Sequence, residues 1–198
     1  MLGMVVAGGR SQRFGGEKAV AILAGRPLLL WAVERLSEAC PKVAVNARAG
    51  TAAESLAREH GLPVIHDAHG DPDGPLAGVK AGLQWACDQG ALHLAVSPCD
   101  VPFVPRGMYP KLLAAAGEGA ALAETSEGRQ PQCAIWPVSA LEMLTAALAG
   151  GKHPPTWRVL EELGAMKVCF DPPESFSNLN TREDLARLEA RLAAAGTR

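Results

Sequence analysis

The chain begins with a short apolar run that breaks into a glycine-rich loop, Val5-Val6-Ala7-Gly8-Gly9-Arg10-Ser11-Gln12-Arg13-Phe14-Gly15-Gly16-Glu17-Lys18. We interpret this stretch as a β-strand that leads into a phosphate-binding loop. Because glycine has no Cβ, backbone N–H groups in such a loop can turn toward a polyphosphate and approach it closely. Residues 1–26 carry four arginine or lysine side chains and a single carboxylate, although the formal net charge of the whole chain is −2. A polar turn after an N-terminal strand is the alternative that the loop alone leaves open.

Two common phosphate-binding motifs do not fit this loop. A P-loop reads G-x-x-x-x-G-K-[ST], whereas Lys18 is followed by Ala19, which has no hydroxyl group to bind magnesium. The dinucleotide fingerprint G-x-G-x-x-G is absent because residues 10–14, which follow Gly8-Gly9, contain no glycine. The pattern A-G-G-x-S-x-R-x-G-x-x-K therefore indicates a third type of phosphate loop.

Composition and charge are those of an ordinary globular domain. The 198 residues are 48% hydrophobic and 20% charged, which fits one domain that buries roughly 70% of the surface its unfolded chain exposes. The slightly acidic balance gives no reason to expect nucleic acid or a membrane as a partner, and neither a signal peptide nor a membrane span is recognisable. The five cysteines are far apart and never in C-x-x-C spacing, which argues against disulfides and a zinc site and favours a cytoplasmic location.

Strands and helices alternate along the sequence. Periodicity and capping patterns predict further strands at 42–46, 62–65, 92–97, 120–124, 132–136 and 166–170, and an extended segment at 19–23. Helices are predicted at 28–39, 51–60, 76–88, 108–116, 139–149 and 156–163, with a final amphipathic helix after Asn180. This alternation predicts an α/β protein with a three-layer α/β/α Rossmann-like fold and a mostly parallel sheet. The four tryptophans, Trp31, Trp85, Trp136 and Trp157, are expected in core or helix packing.

Polar residues follow several of the predicted strands, and such sheets bind ligands at the carboxyl ends of their strands. We expect the loops after Ala7, Asn46, Ile65 and Ser97 to gather there. Asp100 lies in the proline-braced loop of residues 98–105, where a lone carboxylate suits the one or two protein oxygens that magnesium takes beside phosphate; an Asx-type turn is its alternative role.

Two asparagines precede the final helix. Asn178 and Asn180 read most simply as a loop residue and a helix N-cap. The alternative is that the side-chain oxygen of Asn180 contacts the same magnesium ion as Asp100.

Four separated motifs carry a family resemblance: V-A-G-G-R-S-Q-R-F-G-G-E-K at 6–18, G-P-L-A-G at 74–78, P-C-D-V-P at 98–102 and F-S-N-L-N-T-R-E-D-L at 176–185. From Val5 to about Leu188 the chain resembles the bacterial molybdenum cofactor guanylyltransferases, within the nucleotidyltransferase superfamily. The resemblance implies an enzyme that transfers GMP from GTP to the terminal phosphate of molybdopterin, releasing pyrophosphate and using Mg²⁺. It also implies a single nucleotidyltransferase domain over 1–198, with GTP bound by residues 1 to about 105 and molybdopterin by about 106–198. Transient docking to molybdoenzymes or to other cofactor-synthesis proteins is compatible with this activity.

The resemblance also implies roles for individual residues. Lys18, Arg13 and Asp100 would be catalytic, with Lys18 as the main cation, and Asp100 and Asn180 would bind the metal. The implied GTP-binding residues are Val6, Ala7, Gly8, Gly9, Lys18, Asn46, Asp67, Gly74, Leu76, Gly78 and Asp100. For molybdopterin, charge suggests Lys152 and Arg158, to which we add Asn178 and Asn180.

The chain departs from the family pattern in places and leaves alternatives open. The family usually has Asp where Glu17 stands, and Glu17 has no evident role in the sequence; Asp71 and Asp73 compete with Asp67 for the nucleotide. A molybdopterin cytidylyltransferase or a sugar-phosphate nucleotidyltransferase of the same fold is the nearest alternative function. A non-catalytic nucleotide-binding adaptor that passes on the cofactor is an alternative of another class.

Overall fold

The structure is a computed structural model that describes residues 1–9 and 14–195, except for the side chains of Arg191 and residues 193–195. Arg13, one of the predicted catalytic residues, lies outside the described residues, as do residues 10–12. The strands are β1 (Leu2–Val6), β2 (Ile22–Leu23), β3 (Arg26–Pro27), β4 (Val43–Asn46), β5 (Val64–Ile65), β6 (His93–Pro98), β7 (Ala121–Thr125), β8 (Gly128–Pro137) and β9 (Met166–Cys169).

Seven of these strands form one sheet in the order β5-β4-β1-β6-β8-β7-β9. β1 pairs in parallel with β4 and with β6, and β4 pairs in parallel with β5. β8 runs antiparallel to β6 and to β7, while β9 is parallel to β7. The predicted mostly parallel sheet is therefore confirmed, with β8 as the one reversed strand, and β2 and β3 form a separate hairpin.

Helices cover both faces of the sheet. They are α1 (Leu28–Ser37), α2 (Ala52–Glu59), α3 (Pro75–Asp88), α4 (Met108–Ala116), α5 (Ala140–Leu148), α6 (Thr156–Glu162) and α7 (Arg182–Ala195), with short 3₁₀ helices at Lys18–Val20 and Pro173–Phe176. Among the described residues, no helix has the length and apolar character needed to cross a membrane.

Alternation along the strands divides the core into two layers. Val5 of β1 and Ile135 of β8 pack with buried residues of α1, α2 and α4. Met4 and Trp136, their neighbours along the strands, point to the other face and pack with α3, α5 and α6. Because successive side chains of a strand point to opposite faces, the buried parts of the central strands are mainly apolar on both faces and support a helix layer on each side. The three-layer prediction is confirmed.

Three local predictions were wrong. Residues 18–20 form a 3₁₀ helix closed by a hydrogen bond from Ala21 N–H to the Lys18 carbonyl, so the strand after the loop shortens to residues 22–23. β8 begins at Gly128 and not at 132, because Gly128 already pairs with Thr125 across a tight turn. Trp157 is 44% exposed and not in the core, since α6 buries Val159 and Leu160 instead.

Candidate active site

A cleft of about 510 Å³ opens where the parallel strands end. Its floor contains the chain that leaves β1, from Val6 to Gly9, and the segment that leaves β6, from Pro98 to Asp100. Asn46 at the end of β4 and Asp67 after β5 line it on one side. The loops that the sequence assigned to one edge of the sheet do meet there, as expected for a sheet with parallel central strands.

Lys18 lies at the centre of the polar groups in this cleft. Its Nζ donates hydrogen bonds to Asp100 Oδ2 at 2.9 Å and to Asn180 Oδ1 at 2.8 Å. The Lys18 and Asp100 side chains are 13% and 19% exposed. The three residues are far apart in sequence, but the fold places a loop cation, a strand-end carboxylate and an amide from the C-terminal segment at one point.

Backbone and side-chain hydrogen bonds hold Asn180 in place. Leu179 N–H donates to the Asp100 carbonyl at 2.9 Å, which joins the C-terminal segment directly to the loop after β6. Thr181 and Asp184 form the N-terminal cap of α7: Asp184 Oδ2 accepts from the N–H groups of Asn180 and Thr181, and Asp184 N–H donates to Thr181 Oγ1. Thr181 thus caps the helix, and the side chain of Asn180 is available to contact Lys18.

Asn46 connects the β4 end of the cleft with α3. Its Nδ2 donates to Asp67 Oδ1 at 2.8 Å and to the Ile65 carbonyl at 3.2 Å. A Cβ on Gly78 would lie 2.4 Å from Asn46 Oδ1, so this position of the carboxamide requires glycine at 78. Gly74 lines the cleft, whereas Leu76 and Gly78 are buried residues of α3 behind that wall. The predicted GTP-binding set therefore contains both residues of the cleft surface and residues that support it.

Glu17 has a structural role that the sequence did not reveal. Its carboxylate accepts hydrogen bonds from Ala52 N–H at 3.0 Å and Ala53 N–H at 2.9 Å, the first residues of α2. A carboxylate at a helix N-terminus satisfies free N–H groups and interacts favourably with the helix dipole. Glu17, which directly precedes Lys18, therefore connects the end of the glycine loop to the N-terminus of α2.

The three acidic residues of the loop before α3 have different surroundings. Asp67 and Asp73 line the cleft. Asp71 is not among the described residues that line it; its Oδ1 accepts a hydrogen bond from Lys80 Nζ of α3 at 2.6 Å. Both Asp67 and Asp71 accept a hydrogen bond from another side chain, and the difference between them is that Asp67 lines the cleft.

Cys99 lines the cleft next to Asp100, which raises the question of a covalent intermediate. Burial, together with the neighbouring Asp100 carboxylate, raises the pKa of the Cys99 thiol to about 12. At neutral pH the sulfur is therefore a protonated thiol and a poor nucleophile.

The opposite wall comes from the second half of the chain and was missed by sequence reasoning. Pro131 and Gln132 of β8 and Thr156 at the start of α6 line the cleft there, and Arg48 lines it after β4. The sequence around Gly128 gave only a turn signal, because an isolated Gln or Thr carries no motif. A shallow second recess, lined by Arg129, Pro131, Trp157 and Glu161, adjoins the cleft at Pro131.

The four residues assigned to molybdopterin lie in different places. Lys152 is exposed in the loop before α6, and Arg158 is exposed on α6, where Nε donates to Glu162 Oε1 at 3.1 Å. Asn178 is exposed and lines a small recess next to Phe103. Of the four, only Asn180 contacts a described side chain that lines the central cleft.

The Lys18 cluster fits a magnesium ion. Asp100 Oδ2 and Asn180 Oδ1 converge on one point, which the Lys18 ammonium reaches at hydrogen-bonding distance. One carboxylate and one amide oxygen are the small number of protein ligands that magnesium takes when phosphates and waters complete its shell. No group of three or more acidic, histidine or cysteine side chains that could hold a metal occurs in the described part of the chain.

The fold and this site together define a class of protein. A Rossmann-like sheet that presents a glycine loop, a lysine and a carboxylate at its strand ends has the features of a nucleotide-binding transferase. The chain belongs to the family of the MobA-like NTP transferase domain, whose model matches residues 3–166.

Named relatives and a solved structure agree with this assignment. The chain is 42% identical over 197 residues to a molybdenum cofactor guanylyltransferase of Cereibacter sphaeroides, covering 97% of both chains. It is 38% identical over 195 residues to the enzyme of the same name from Rhodobacter capsulatus, covering 96% of this chain and 95% of the other. The crystal structure of molybdopterin-guanine dinucleotide biosynthesis protein A from Archaeoglobus fulgidus superposes with a TM-score of 0.79 at 27% identity, covering 98% of this chain and 100% of the other.

Proposed function

We propose that this enzyme transfers GMP from GTP to the terminal phosphate of molybdopterin, giving molybdopterin guanine dinucleotide and pyrophosphate. An oxygen of the acceptor phosphate attacks the α-phosphorus of GTP, and the bond from that phosphorus to the oxygen bridging to the β-phosphorus breaks. The electron pair of that bond leaves with pyrophosphate. The observation that carries the proposal is the Lys18–Asp100–Asn180 cluster in a cleft floored by Gly8 and Gly9.

Residues of the cleft and of the loop after β1 would have distinct tasks in this reaction. Val6, Ala7, Gly8 and Gly9 would follow the triphosphate with their backbone, and Lys18, with Arg13 from the same loop, would neutralise charge that develops as pyrophosphate leaves. Asn46 and Asp67, already hydrogen-bonded to each other, would contact the nucleoside. Gly74 would line the base site, with Leu76 and Gly78 supporting it.

Asp100 and Asn180 would hold magnesium, which would supply positive charge next to the phosphates of the nucleotide. Lys18 Nζ occupies the point between these two oxygens. We therefore propose that Lys18 moves from Asp100 and Asn180 toward the phosphates when the nucleotide binds. The same side chain would thus neutralise Asp100 in the free protein and the triphosphate in the complex.

The second half of the chain would hold the pterin substrate. We propose that residues 1 to about 105 bind GTP and that about 106–198 bind molybdopterin, with Asn180 near the reacting phosphates and Lys152, Arg158 and Asn178 toward the acceptor. The wall of the cleft formed by β8 and α6 supports this division. We also propose a cytoplasmic location, based on cysteine usage, and transient docking to molybdoenzymes that receive the product.

A panel of nucleotides tests the proposal. The protein is incubated with molybdopterin, magnesium and GTP, CTP, ATP or UTP, and pyrophosphate release is measured together with the mass of the pterin product. We expect release with GTP and a product larger by one GMP. Turnover with CTP and none with GTP would replace the guanylyl assignment by a cytidylyl one. Turnover with a sugar phosphate as acceptor would indicate a sugar-phosphate enzyme, and nucleotide binding without any turnover would indicate an adaptor.

A further inference from the structure

A histidine from the second half of the chain hydrogen-bonds to the wall of the cleft. His153 lies between α5 and α6, and its Nε2 accepts a hydrogen bond from Leu76 N–H at 3.0 Å. Leu76 is the second residue of α3 and follows Gly74 and Pro75, which line the cleft. His153 is partly buried and is not among the described residues that line the cleft. Its ring therefore reaches this wall from outside the cleft.

The ring and the turn are fitted to each other. A Cβ on Gly74 would lie 2.2 Å from both Cδ2 and Nε2 of His153, and Gly74 has a φ of 152°, a conformation that favours glycine. Glycine at 74 therefore allows both the shape of the turn and the close approach of the imidazole ring. Because Nε2 accepts the hydrogen bond, the proton of the neutral ring is on Nδ1.

His153 also completes the N-terminus of α3. Gly74 provides no side-chain cap, and Pro75 has no N–H group, so Leu76 N–H is the first backbone donor of the helix. The next donor, Ala77 N–H, is bonded to the Gly74 carbonyl at 3.2 Å. Both donors are thus engaged within the protein. A nucleotide base in the cleft would meet a preformed turn and not a set of free N–H groups.

We propose that His153 is a positioning residue for nucleotide recognition: it holds the Gly74–Leu76 turn in the shape that contacts the base. This inference rests on the proposed function, because it assumes that the base lies against this turn. The experiment distinguishes it from the opposite role, in which His153 blocks Leu76 N–H and has to leave before a nucleotide binds. It also links the two halves of the chain, since His153 precedes α6, whose first residue Thr156 lines the facing wall.

Three variants separate the hydrogen bond from the packing of the ring. His153→Ala removes both, His153→Phe keeps a ring beside Gly74 without an acceptor, and His153→Gln restores an acceptor. Nucleotide affinity in the presence of magnesium is measured by calorimetry, with KM and kcat from pyrophosphate release and Tm as a check of folding. His60→Ala is the control, because His60 is an exposed histidine that follows α2, contacts the Leu56 carbonyl through Nδ1 and is not among the described residues that line the cleft.

We expect the Ala and Phe variants to raise KM and Kd for GTP about three- to ten-fold, the effect of one lost hydrogen bond, while kcat changes less than two-fold. The preference for GTP over ITP, which lacks the 2-amino group, should fall in the same variants. His153→Gln should recover most of the lost GTP affinity and most of the lost preference for GTP, and His60→Ala should match the wild type. Tighter GTP binding by His153→Ala would establish the blocking role instead.

The remaining outcomes also decide the question. Unchanged KM and unchanged preference in His153→Phe would overturn the positioning role, whatever the Tm of the Ala variant. A raised KM together with a lowered kcat and a lowered Tm, none of them restored in His153→Gln, would show that His153 has only a structural role. If the wild type prefers CTP, the same variants are tested with CTP, so that failure of the guanylyl assignment is distinguished from failure of the His153 proposal.

Discussion

Two lysine–aspartate pairs of this protein have nearly the same local geometry but very different surroundings. Lys18 and Asp100 approach to 2.9 Å with side chains 13% and 19% exposed, and Lys80 and Asp71 approach to 2.6 Å with side chains 17% and 11% exposed. Distance and burial alone would not tell which pair is functional. The difference lies in position and in the number of partners.

The first pair joins the 3₁₀ helix that begins at Lys18 to the loop after β6, lines the cleft and has a third partner, Asn180. The Lys80–Asp71 pair joins α3 to the loop before it; within the described part of the chain, the buried Oδ2 of Asp71 accepts no hydrogen bond, and neither residue lines the cleft. From this comparison we propose that Lys18 is available for chemistry because the fold places it in a cleft with more than one partner. We propose that the Lys80–Asp71 pair, which has only a counter-charge, is structural. Mutating both pairs in parallel tests this distinction.

The largest difference is expected for the two lysines. Lys18→Met should lower kcat about 100-fold or more, because it removes a positive charge directed at the transferring phosphate. Lys80→Met should change kcat by no more than a few-fold. Steady-state pyrophosphate release at saturating GTP and molybdopterin measures both, and circular dichroism shows whether each variant is folded.

Removal of the Lys18 ammonium has a second consequence that checks the exchange proposed above. Without nucleotide, Lys18→Met should bind Mn²⁺ several-fold more tightly than the wild type, since the competing ammonium between Asp100 and Asn180 is gone. Lys80→Met provides the baseline in the same paramagnetic titration. Activity of Lys18→Met within a few-fold of the wild type would mean that the loop after β1 has been misinterpreted and that the two pairs are functionally equivalent.

The two aspartates should differ in metal dependence. Asp100→Asn should abolish the difference in GTP affinity between magnesium and EDTA, because it removes the only carboxylate among the proposed ligands. Asp71→Asn removes the same charge outside the cleft and should leave the difference in GTP affinity between magnesium and EDTA unchanged. Calorimetric titrations of GTP with and without magnesium compare the two variants. A magnesium effect that persists in Asp100→Asn would place the metal at other residues.

For stability, the mutation in the Lys80–Asp71 pair is expected to have the larger effect. Asp71→Asn leaves the largely buried Lys80 without its counter-charge and should lower the free energy of unfolding by about 2 kcal/mol. The double variant Asp71→Asn, Lys80→Met should regain part of this loss, because no unpaired charge remains. Asp100→Asn should cost less, since Lys18 retains Asn180 as a partner. Urea unfolding provides the three values, and a larger loss for Asp100→Asn would show that its pair is primarily structural.

Much of this comparison could be predicted from the sequence, and the reasons are local. The apolar strands and capped helices specify the three layers, and Asp100 directly follows a buried strand in a loop stiffened by prolines. Glycines and cations after β1 predict a phosphate loop through chemistry that depends on neighbouring residues alone. Such local features can be recognised in the sequence without knowledge of the tertiary structure.

Contacts between distant segments could not be predicted in this way. Glu17 had no visible partner because the helix it caps begins 35 residues later, at Ala52. His153 and Leu76 are 77 residues apart, and nothing in a proline-rich loop indicates an acceptor for a helix N–H. Gly78 appeared to belong to a ligand-binding motif, whereas its lack of a side chain makes room for Asn46. In each case the contacting groups come from segments that only the tertiary fold brings together.

The smallest expected effect concerns the support of Asn180, the partner that distinguishes the Lys18 pair. The pKa of Asp184 is lowered, mainly by a hydrogen bond with the Thr181 side chain. The backbone N–H groups of Thr181 and Asn180 lower it further, and burial partly opposes this shift. A lowered pKa means that the charged carboxylate stabilises the folded state. Its contribution is complete above the pKa of about 3.9 of an unfolded aspartate, and it is lost as the pH falls through the lower pKa of the folded state.

Asp184→Asn keeps the shape of the cap but removes its charge. The gap in unfolding free energy between wild type and variant should therefore be constant from pH 7 to about pH 5 and should close as the pH falls below about 4. Asp88→Asn, at the exposed end of α3 where Gln84 Nε2 donates to the carboxylate, is the matched control. Turnover at pH 7 should fall by less than three-fold, because Thr181 still caps α7 and Asn180 Oδ1 still reaches Lys18. A loss of turnover as large as that of Lys18→Met would mean that the position of Asn180 depends on the charge of Asp184, and the cleft pair would then rely on α7 as much as on the ends of the strands.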